Sequence, residues 1–311
     1  MPRSLLRGRF TSDTVNVVFF FPYTFWNANC EVPKDTTLYG TSSSVYDMFN
    51  AHFLEVGWQL QRKFGGHQLR YVTVPENAAV DRDKIETIRI LRACGVSTSI
   101  PVPYSSLNDI LDSITPQRGV FIKCRYGAEG KGITVLHHGR WETNYRVDGD
   151  RLANYQVYGL WPFTEITGRQ ELLERLLEHE VIVEREILVP DFLPGRKFDV
   201  RAFVVGEEVP HFVFRVNSRE KQVTNCAQGA YVVHREDTGL DQTAMDLIAQ
   251  ISRHAAQALQ LRFVGIDIMF DGDLTNAKVV EAQAFPSLVG YPKTANIVIP
   301  YMISDASGLF I

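Results

Sequence analysis

The stretch Lys123-Cys-Arg-Tyr-Gly127-Ala-Glu-Gly130-Lys131-Gly132-Ile133 combines residue types that suit phosphate chemistry. Glycines at 127, 130 and 132 let backbone N–H groups approach a phosphate chain, and Lys123, ending the preceding apolar run, can neutralise it. The loop is not a Walker A motif, because its Gly-Lys pair is followed by Gly132 rather than Ser or Thr and no helical pattern follows. Nor does it open a helix, as a dinucleotide fingerprint does. Taken alone, it fits both a strand-loop-strand flap over a nucleotide and an ordinary Gly-rich hairpin.

Two further segments carry charge in an ordered way. In Lys197-Phe-Asp199-Val-Arg201-Ala, period-two alternation puts Lys197, Asp199 and Arg201 on one face and Phe198, Val200 and Ala202 on the other. The next apolar run can set Arg215 beside that row, and Asn225 follows in a loop. Two arginines and an amide converging on one place suit a transferring phosphoryl group, whose charge is spread over several oxygens. An exposed ladder of cross-strand ion pairs is the alternative. Near the C-terminal end, Asp267 lies in Gly265-Ile-Asp-Ile-Met, and Glu281 and Gln283 lie two apart in Val279-Val-Glu-Ala-Gln. A short hairpin brings the three together, and oxygen donors of this kind suit Mg²⁺ on nucleotide phosphates. Both carboxylates sit in apolar surroundings, so either a metal cation or Arg and Lys partners must compensate them.

These residues need a scaffold. Val15 to Phe21 reads as a buried strand, followed by a helix with Phe49, Phe53, Val56, Leu60 and Phe64 on one face, a strand from Leu69 to Val74, and a helix after Asp81 with Ile85, Ile88, Leu91 and Cys94 in one stripe. Beyond Ser105 the pattern turns to strands: Val120–Lys123, Ile133–His137, Val181–Ile187, Phe198–Val205, His211–Val216, Phe263–Phe270 and Lys278–Gln283. Only two later segments, Gln170–Leu177 and Asp241–Leu261, read as strongly helical. The fold class is antiparallel-rich α+β. His137, His138 and Trp141 read as exposed turn residues, and the aromatics Tyr23, Trp26, Tyr39 and Tyr46 fit either a ligand wall or the packing of a lobe edge.

The chain of 311 residues is 45% hydrophobic and 22% charged, which excludes disordered, collagenous and coiled-coil classes. A net charge of −4 gives no reason to expect a nucleic-acid or membrane partner. No apolar run approaches a bilayer span, and Met1 to Phe10 lacks the apolar core of a signal peptide, so a cytoplasmic location is expected. The four cysteines, Cys30, Cys94, Cys124 and Cys226, lack metal or disulfide spacing and are expected to be buried thiols.

Taken in order, the segments from about Asp81 to Pro286 resemble the ATP-grasp superfamily, and within it ribosomal-protein glutamate ligases and tubulin tyrosine ligases. The motifs are Asp83-Lys84 before a helix ending Arg92-Ala-Cys-Gly95-Val, Lys123 with the glycine loop, Val183-Glu184-Arg185-Glu186-Ile187, Gly195-Arg-Lys-Phe-Asp-Val-Arg201, Val223-Thr-Asn225, and the set Asp267, Glu281 and Gln283. The resemblance implies an N-terminal α/β lobe (1–83), a central lid lobe (84–186) and a C-terminal antiparallel-sheet lobe (187–311). It implies ATP with Mg²⁺ or Mn²⁺: Lys84, Lys123, Gly127, Gly130 and Gly132 on the phosphates, Glu184, Arg185, Glu186 and Ile187 at the base, and Glu186 or Asp191 at the ribose. Arg201 and Arg215 would stabilise the γ-phosphate and an acyl phosphate, Lys197 and Asn225 would assist, and Asp267, Glu281 and Gln283 would hold the metal. Two positions depart from the family pattern. Gln283 stands where Asn is usual, one methylene longer, and Glu186 replaces an aromatic or aliphatic residue.

The activity so implied is an ATP-dependent carboxylate-amine ligase acting through an acyl phosphate, with small-molecule carboxylate and amine substrates and room for a homodimer. A small-molecule kinase and a non-catalytic nucleotide-binding protein are the alternatives.

Overall fold

The computed structural model describes residues 13–29, 38–155, 161–288, 291–304 and 306–310. The chain begins with β1 (Thr14–Val17), α1 (Tyr23–Asn29), α2 (Ser43–Phe64), β2 (Gln68–Tyr71) and α3 (Lys84–Ala93), with β1 and β2 paired in parallel. The strand expected over Val15 to Phe21 stops at Val17. Val18 is 38% and Phe20 79% exposed, so the apolar run leaves the sheet rather than being buried in it.

The α3 cap is Asp83: its carboxylate accepts from the Ile85 and Glu86 amides at 3.0 and 3.2 Å, occupying donors that a helix start leaves unpaired. Asp81 instead lies in the preceding turn and accepts from the Ala284 amide. Ile88 and Leu91 are buried on the inner face of α3, whereas Ile85 and Cys94 are exposed, which corrects both the expected stripe and the expectation for Cys94. Cys124 is buried and Cys226 half-buried; Cys30 lies outside the described residues.

Next come α4 (Leu107–Asp112), β3 (Val120–Cys124), β4 (Ile133–His137), β5 (Arg140–Thr143), β6 (Arg146–Asp148), β7 (Arg151–Ala153), β8 (Thr164–Glu165), α5 (Gln170–Leu177) and β9 (Val181–Arg185). Five of these strands form an antiparallel middle sheet in the order β8-β5-β4-β3-β9. Its inner face carries Val120, Ile122, Leu136 and Val183 onto α4 and α5, whose Ile110, Leu172, Leu173 and Leu176 complete that core. The last part comprises β10 (Arg196–Val205), β11 (Glu208–Ser218), β12 (Tyr231–His234), α6 (Gln242–Ala258), β13 (Phe263–Phe270), β14 (Ala277–Gln283), α7 (Pro292–Ser304) and α8 (Ala306–Leu309). It makes a second antiparallel sheet in the order β12-β11-β10-β13-β14.

Alternation along β10 falls as the sequence requires. Phe198, Val200, Ala202 and Val204 enter the core against α6, leaving Asp199 and Arg201 on the opposite face. In β14 the alternation is broken. Asp267 pairs with Glu281, but Ile268 pairs with Val279, so Val280 is an extra residue in the ladder. Because of this bulge, Ala277 and Val279 pack in the core with Ala282 and Ala284, although strict alternation would place Val279 and Glu281 on one face. Helices α4 and α7 were not expected from the sequence; α7 carries Pro300 in its interior, which obscures its pattern.

Candidate active site

A cavity of about 390 Å³ opens between the middle and C-terminal sheets, roofed by the glycine loop. Its lining interleaves the cations Lys84, Lys123, Lys197 and Arg215 with the carboxylates Glu184, Asp199, Asp267 and Glu281, several of them directly paired. Phe121, Ile187 and Met269 give it apolar surface.

Lys84 is placed by a clamp between α3 and β3. Besides capping α3, Asp83 accepts from Arg125 Nε and Nη2 at 2.9 and 2.7 Å, and the Lys84 amide donates to the Arg125 carbonyl. The Lys84 ammonium then reaches the Gly127 carbonyl and lies 3.9 Å from Glu281, joining the loop to the acidic strand.

Tight packing makes the glycine loop. A Cβ on Gly127 would lie 2.0 Å from Cys124 Sγ, and one on Gly132 would lie 2.6 Å from the Tyr145 hydroxyl. Gly130 and Gly132 have φ of +69° and +68°, a region that favours glycine. The Gly130 carbonyl accepts from Asn144 Nδ2, and the Ala128 amide donates to the Tyr39 hydroxyl. Of the aromatic residues between 20 and 50, Tyr39 thus supports the loop. Phe21, Trp26, Phe49 and Phe53 pack instead with one another and with Phe285.

Glu184 is 3% exposed; it holds the Lys123 ammonium at 2.5 Å and accepts from the Ser99 hydroxyl. Glu186, just beyond β9, accepts from the Gly119 amide at 2.8 Å and pairs with His137 Nε2 at 3.2 Å. His137 lines the cavity, correcting its reading as an exposed turn residue; His138 is exposed and Trp141 is partly buried against the core of the middle sheet.

At the floor, four charges interlock across three strands. Arg215 donates to both oxygens of Asp199 at 2.6 Å and to Asp267 at 2.9 Å, while Arg201 forks onto Asp267 and donates to Gln283 Oε1 at 3.0 Å. Thr224 donates to Asp199 at 2.6 Å. Burial pushes the Asp267 carboxyl upward, but Arg201 and Arg215 outweigh it and hold the group below its ordinary value. Asp199 goes the other way: burial and the neighbouring Asp267 charge prevail over Arg215 and Thr224 and raise it. The arginine and lysine partners considered for the carboxylates are therefore present. Arg201 is not part of the cavity wall and acts on it through Asp267.

Asp267 and Glu281, directly opposite on β13 and β14, both face the cavity with oxygen donors, and Glu281 is 25% exposed with its nearest cation 3.9 Å away. This pair fits a hard divalent cation, although such an ion would share Asp267 with the two guanidiniums. Gln283 is one step further along β14, opposite Gly265, and its amide oxygen is taken by Arg201. Among the described residues no three His, Cys, Asp or Glu side chains cluster as a metal site. Lys197 donates to the Gln222 carbonyl at 3.0 Å, and burial lowers its ammonium to about 8. Asn225, Arg185 and Ile187 line the cavity; Gly132 supports the loop from behind; Asp191 lies outside, half-exposed and paired with Arg219. Ser99 and His137 belong to the site although no motif in the sequence covers them, whereas Asp199 and Thr224 fall within the Gly195–Arg201 and Val223–Asn225 motifs.

Two solved structures of the ATP-grasp ligase PsnB, one complexed with minimal precursor and one with minimal precursor, Mg and ADP, superpose on the chain with TM-scores of 0.51 and 0.52. Each is 14% identical, and the alignments cover 94% and 96% of this chain and 79% and 78% of theirs. A D-alanine–D-alanine ligase from Bacillus anthracis complexed with ATP gives 0.49 at 15% identity, over 80% of this chain and 72% of that one. The chain has the ATP-grasp fold. Within it, residues 166–306 match the family model described as the RimK-like ATP-grasp domain. No curated protein sequence matches the chain, and among the described residues no helix is long and apolar enough to cross a membrane.

Proposed function

We propose that the chain is an ATP-dependent carboxylate-amine ligase built from lobes at 1–83, 84–186 and 187–311. The observation that carries the reading is the cavity itself, where a glycine loop and the cations Lys84, Lys123, Lys197 and Arg215 share one space with the carboxylates Asp267 and Glu281. A triphosphate needs such cations, and a carboxylate pair able to hold a divalent cation beside them suits phosphoryl transfer. In this reading Glu184 and the backbone of 185–187 receive the base. Lys84, Lys123 and the loop hold the phosphates, and Arg215, steadied by Asp199, offsets charge on the transferring group. Asp267 and Glu281 would hold Mg²⁺, which when bound neutralises phosphate charge.

The substrate carboxylate attacks the γ-phosphorus, breaking the bond to ADP and giving an acyl phosphate; an amine then displaces phosphate and an amide forms. Amino acids or small peptides are the substrate class we favour. The test is release of ADP and free phosphate that depends on both a carboxylate and an amine, screened over amino-acid pairs with product masses measured. Glu281→Ala is expected to lower that rate at least ~100-fold. An undiminished rate in this variant would reject the assignment, and phosphate retained on an acceptor would replace the ligase with a kinase.

A further inference from the structure

Two residues ahead of Lys84, Arg82 carries a guanidinium whose one acceptor among the described residues is Asp81, reached through Nη2 at 2.9 Å. Nε is enclosed without a partner and Nη1 donates to no described group, yet the side chain keeps 13% of its surface open. The other arginines packed around the cavity are used more fully. Arg201 forks onto Asp267, Arg215 onto Asp199 and Arg125 onto Asp83, each through two nitrogens. Asp81 is a weaker partner, because its Oδ2 also accepts from the Ala284 amide at 3.1 Å and its Oδ1 has no partner. Three rings surround the cation instead: Phe21, Trp26 and Phe49 have centroids 5.9, 5.8 and 5.7 Å from Cζ. Rings so placed hold a guanidinium in position and keep bulk water from it, which strengthens any bond it makes to an anion. Phe49 is buried, whereas Phe21 and Trp26 are partly exposed.

The place of this box is fixed by the chain. Asp81 is pinned to the Ala284 amide, three residues beyond Glu281, and Lys84 lies 3.9 Å from Glu281 itself. The box therefore stands beside the Glu281 end of the cavity. The neighbouring charges there are already engaged: Lys84 with the Gly127 carbonyl and Glu281, and Arg125 with Asp83 and Glu180. Arg82 is the cation at this end with donors to spare.

We propose that Arg82, Phe21 and Trp26 form a subsite for an amino-acid substrate, in which the guanidinium reads a carboxylate that is not activated and the two rings line the carbon chain. A carboxylate on Nη1 supplies the acceptor that the protein leaves out. The substrate role rests on the ligase reading above; the binding of a free amino acid does not. Glu281 would oppose a second carboxylate, so binding is measured both with and without Mg²⁺ and ATP.

Trp26 is the reporter. Protein fluorescence is titrated with the standard free amino acids and with their carboxamides, and the signal is assigned with Trp26→Phe. At least one free amino acid should give a saturable change, and its carboxamide should bind at least ~10-fold more weakly. Arg82→Met should weaken the free amino acid by a similar factor and abolish the preference over the carboxamide, with ATP affinity as in the parent. Should Arg82→Met fail to fold by urea unfolding, Arg82→Lys carries the same comparison, since it keeps the charge and loses the fork. The proposal is overturned if no free amino acid binds, if acid and carboxamide bind alike in the parent, or if the preference survives in the variants. Amino-acid binding with this preference but without ATP-dependent phosphate release would reject the ligase reading and leave the subsite standing.

Discussion

At the residue scale, the floor of the cavity consists of charges that hold one another. Asp199, Arg201, Arg215 and Asp267 are each under 5% exposed, and every one has an opposite charge in direct contact. Removing one member strands another, at a cost of about 3–5 kcal/mol. Arg215→Met should therefore lower unfolding free energy in urea by that amount, and Asp199→Leu added to it should recover part of the loss by removing the stranded carboxylate. If the single variant is as stable as the parent, the interlocked quartet is not a source of stability. The pairings within β10 and β11 were legible, because alternation fixes a face and adjacent strands fix neighbours. The Ser99–Glu184 contact was not: it joins residues 85 apart, one of them in an irregular segment, with no periodicity to announce it. His137 was misread for a related reason. The end of a strand looks like a turn in sequence, and only the missing side chain of Gly119 lets its ring reach Glu186.

At the scale of elements, the glycine loop is set by what lies beneath it. Gly127 needs its lack of a side chain because of Cys124 Sγ, while the next obstacle to a Cβ there, a Tyr39 ring carbon, is 3.1 Å away. Gly127→Ala should destabilise the loop and weaken the ATP binding proposed above at least ~10-fold, and Cys124→Ala in the same chain should restore most of it, because the closest atom is then gone. Equal weakening in the single and double variants would place the cause elsewhere. The sequence allowed either a flap or a plain hairpin here. The contacts with Tyr39 and Tyr145 that hold it come from residues too far away to be read locally. The longer helices α2, α3, α5 and α6 and seven strands of the two large sheets followed from periodicity, whereas the short edge-side strands β5, β8 and β12, short α4 and proline-bearing α7 did not.

Across the whole molecule, the two large sheets have separate cores, and the C-terminal one carries a second layer formed by α7 and α8 against β10 and β11. Beneath that layer His211 is 2% exposed, and burial together with the nearby His234, Arg235 and Lys293 lowers its imidazole from 6.5 to about 4. An imidazole depressed on folding contributes stability that is fully present above 6.5 and is lost as pH falls toward about 4. The parent should lose roughly 3 kcal/mol more than His211→Leu over that interval, measured as urea-unfolding free energy against pH. Parallel curves for the two proteins would show that His211 does not supply this acid sensitivity.

The bulge at Val280 has a consequence for chain length. Without Val280, Ile268 still meets Val279 and Asp267 still meets Glu281, now as neighbouring pairs, and plain alternation keeps Val279 in the core and Glu281 on the cavity side. Deletion of Val280 alone should therefore leave a regular strand with the two carboxylates still opposed, read as cooperative urea unfolding like the parent's, whereas deletion of Ala282 on the unbulged side should turn Glu281 or the core alanines to the wrong face.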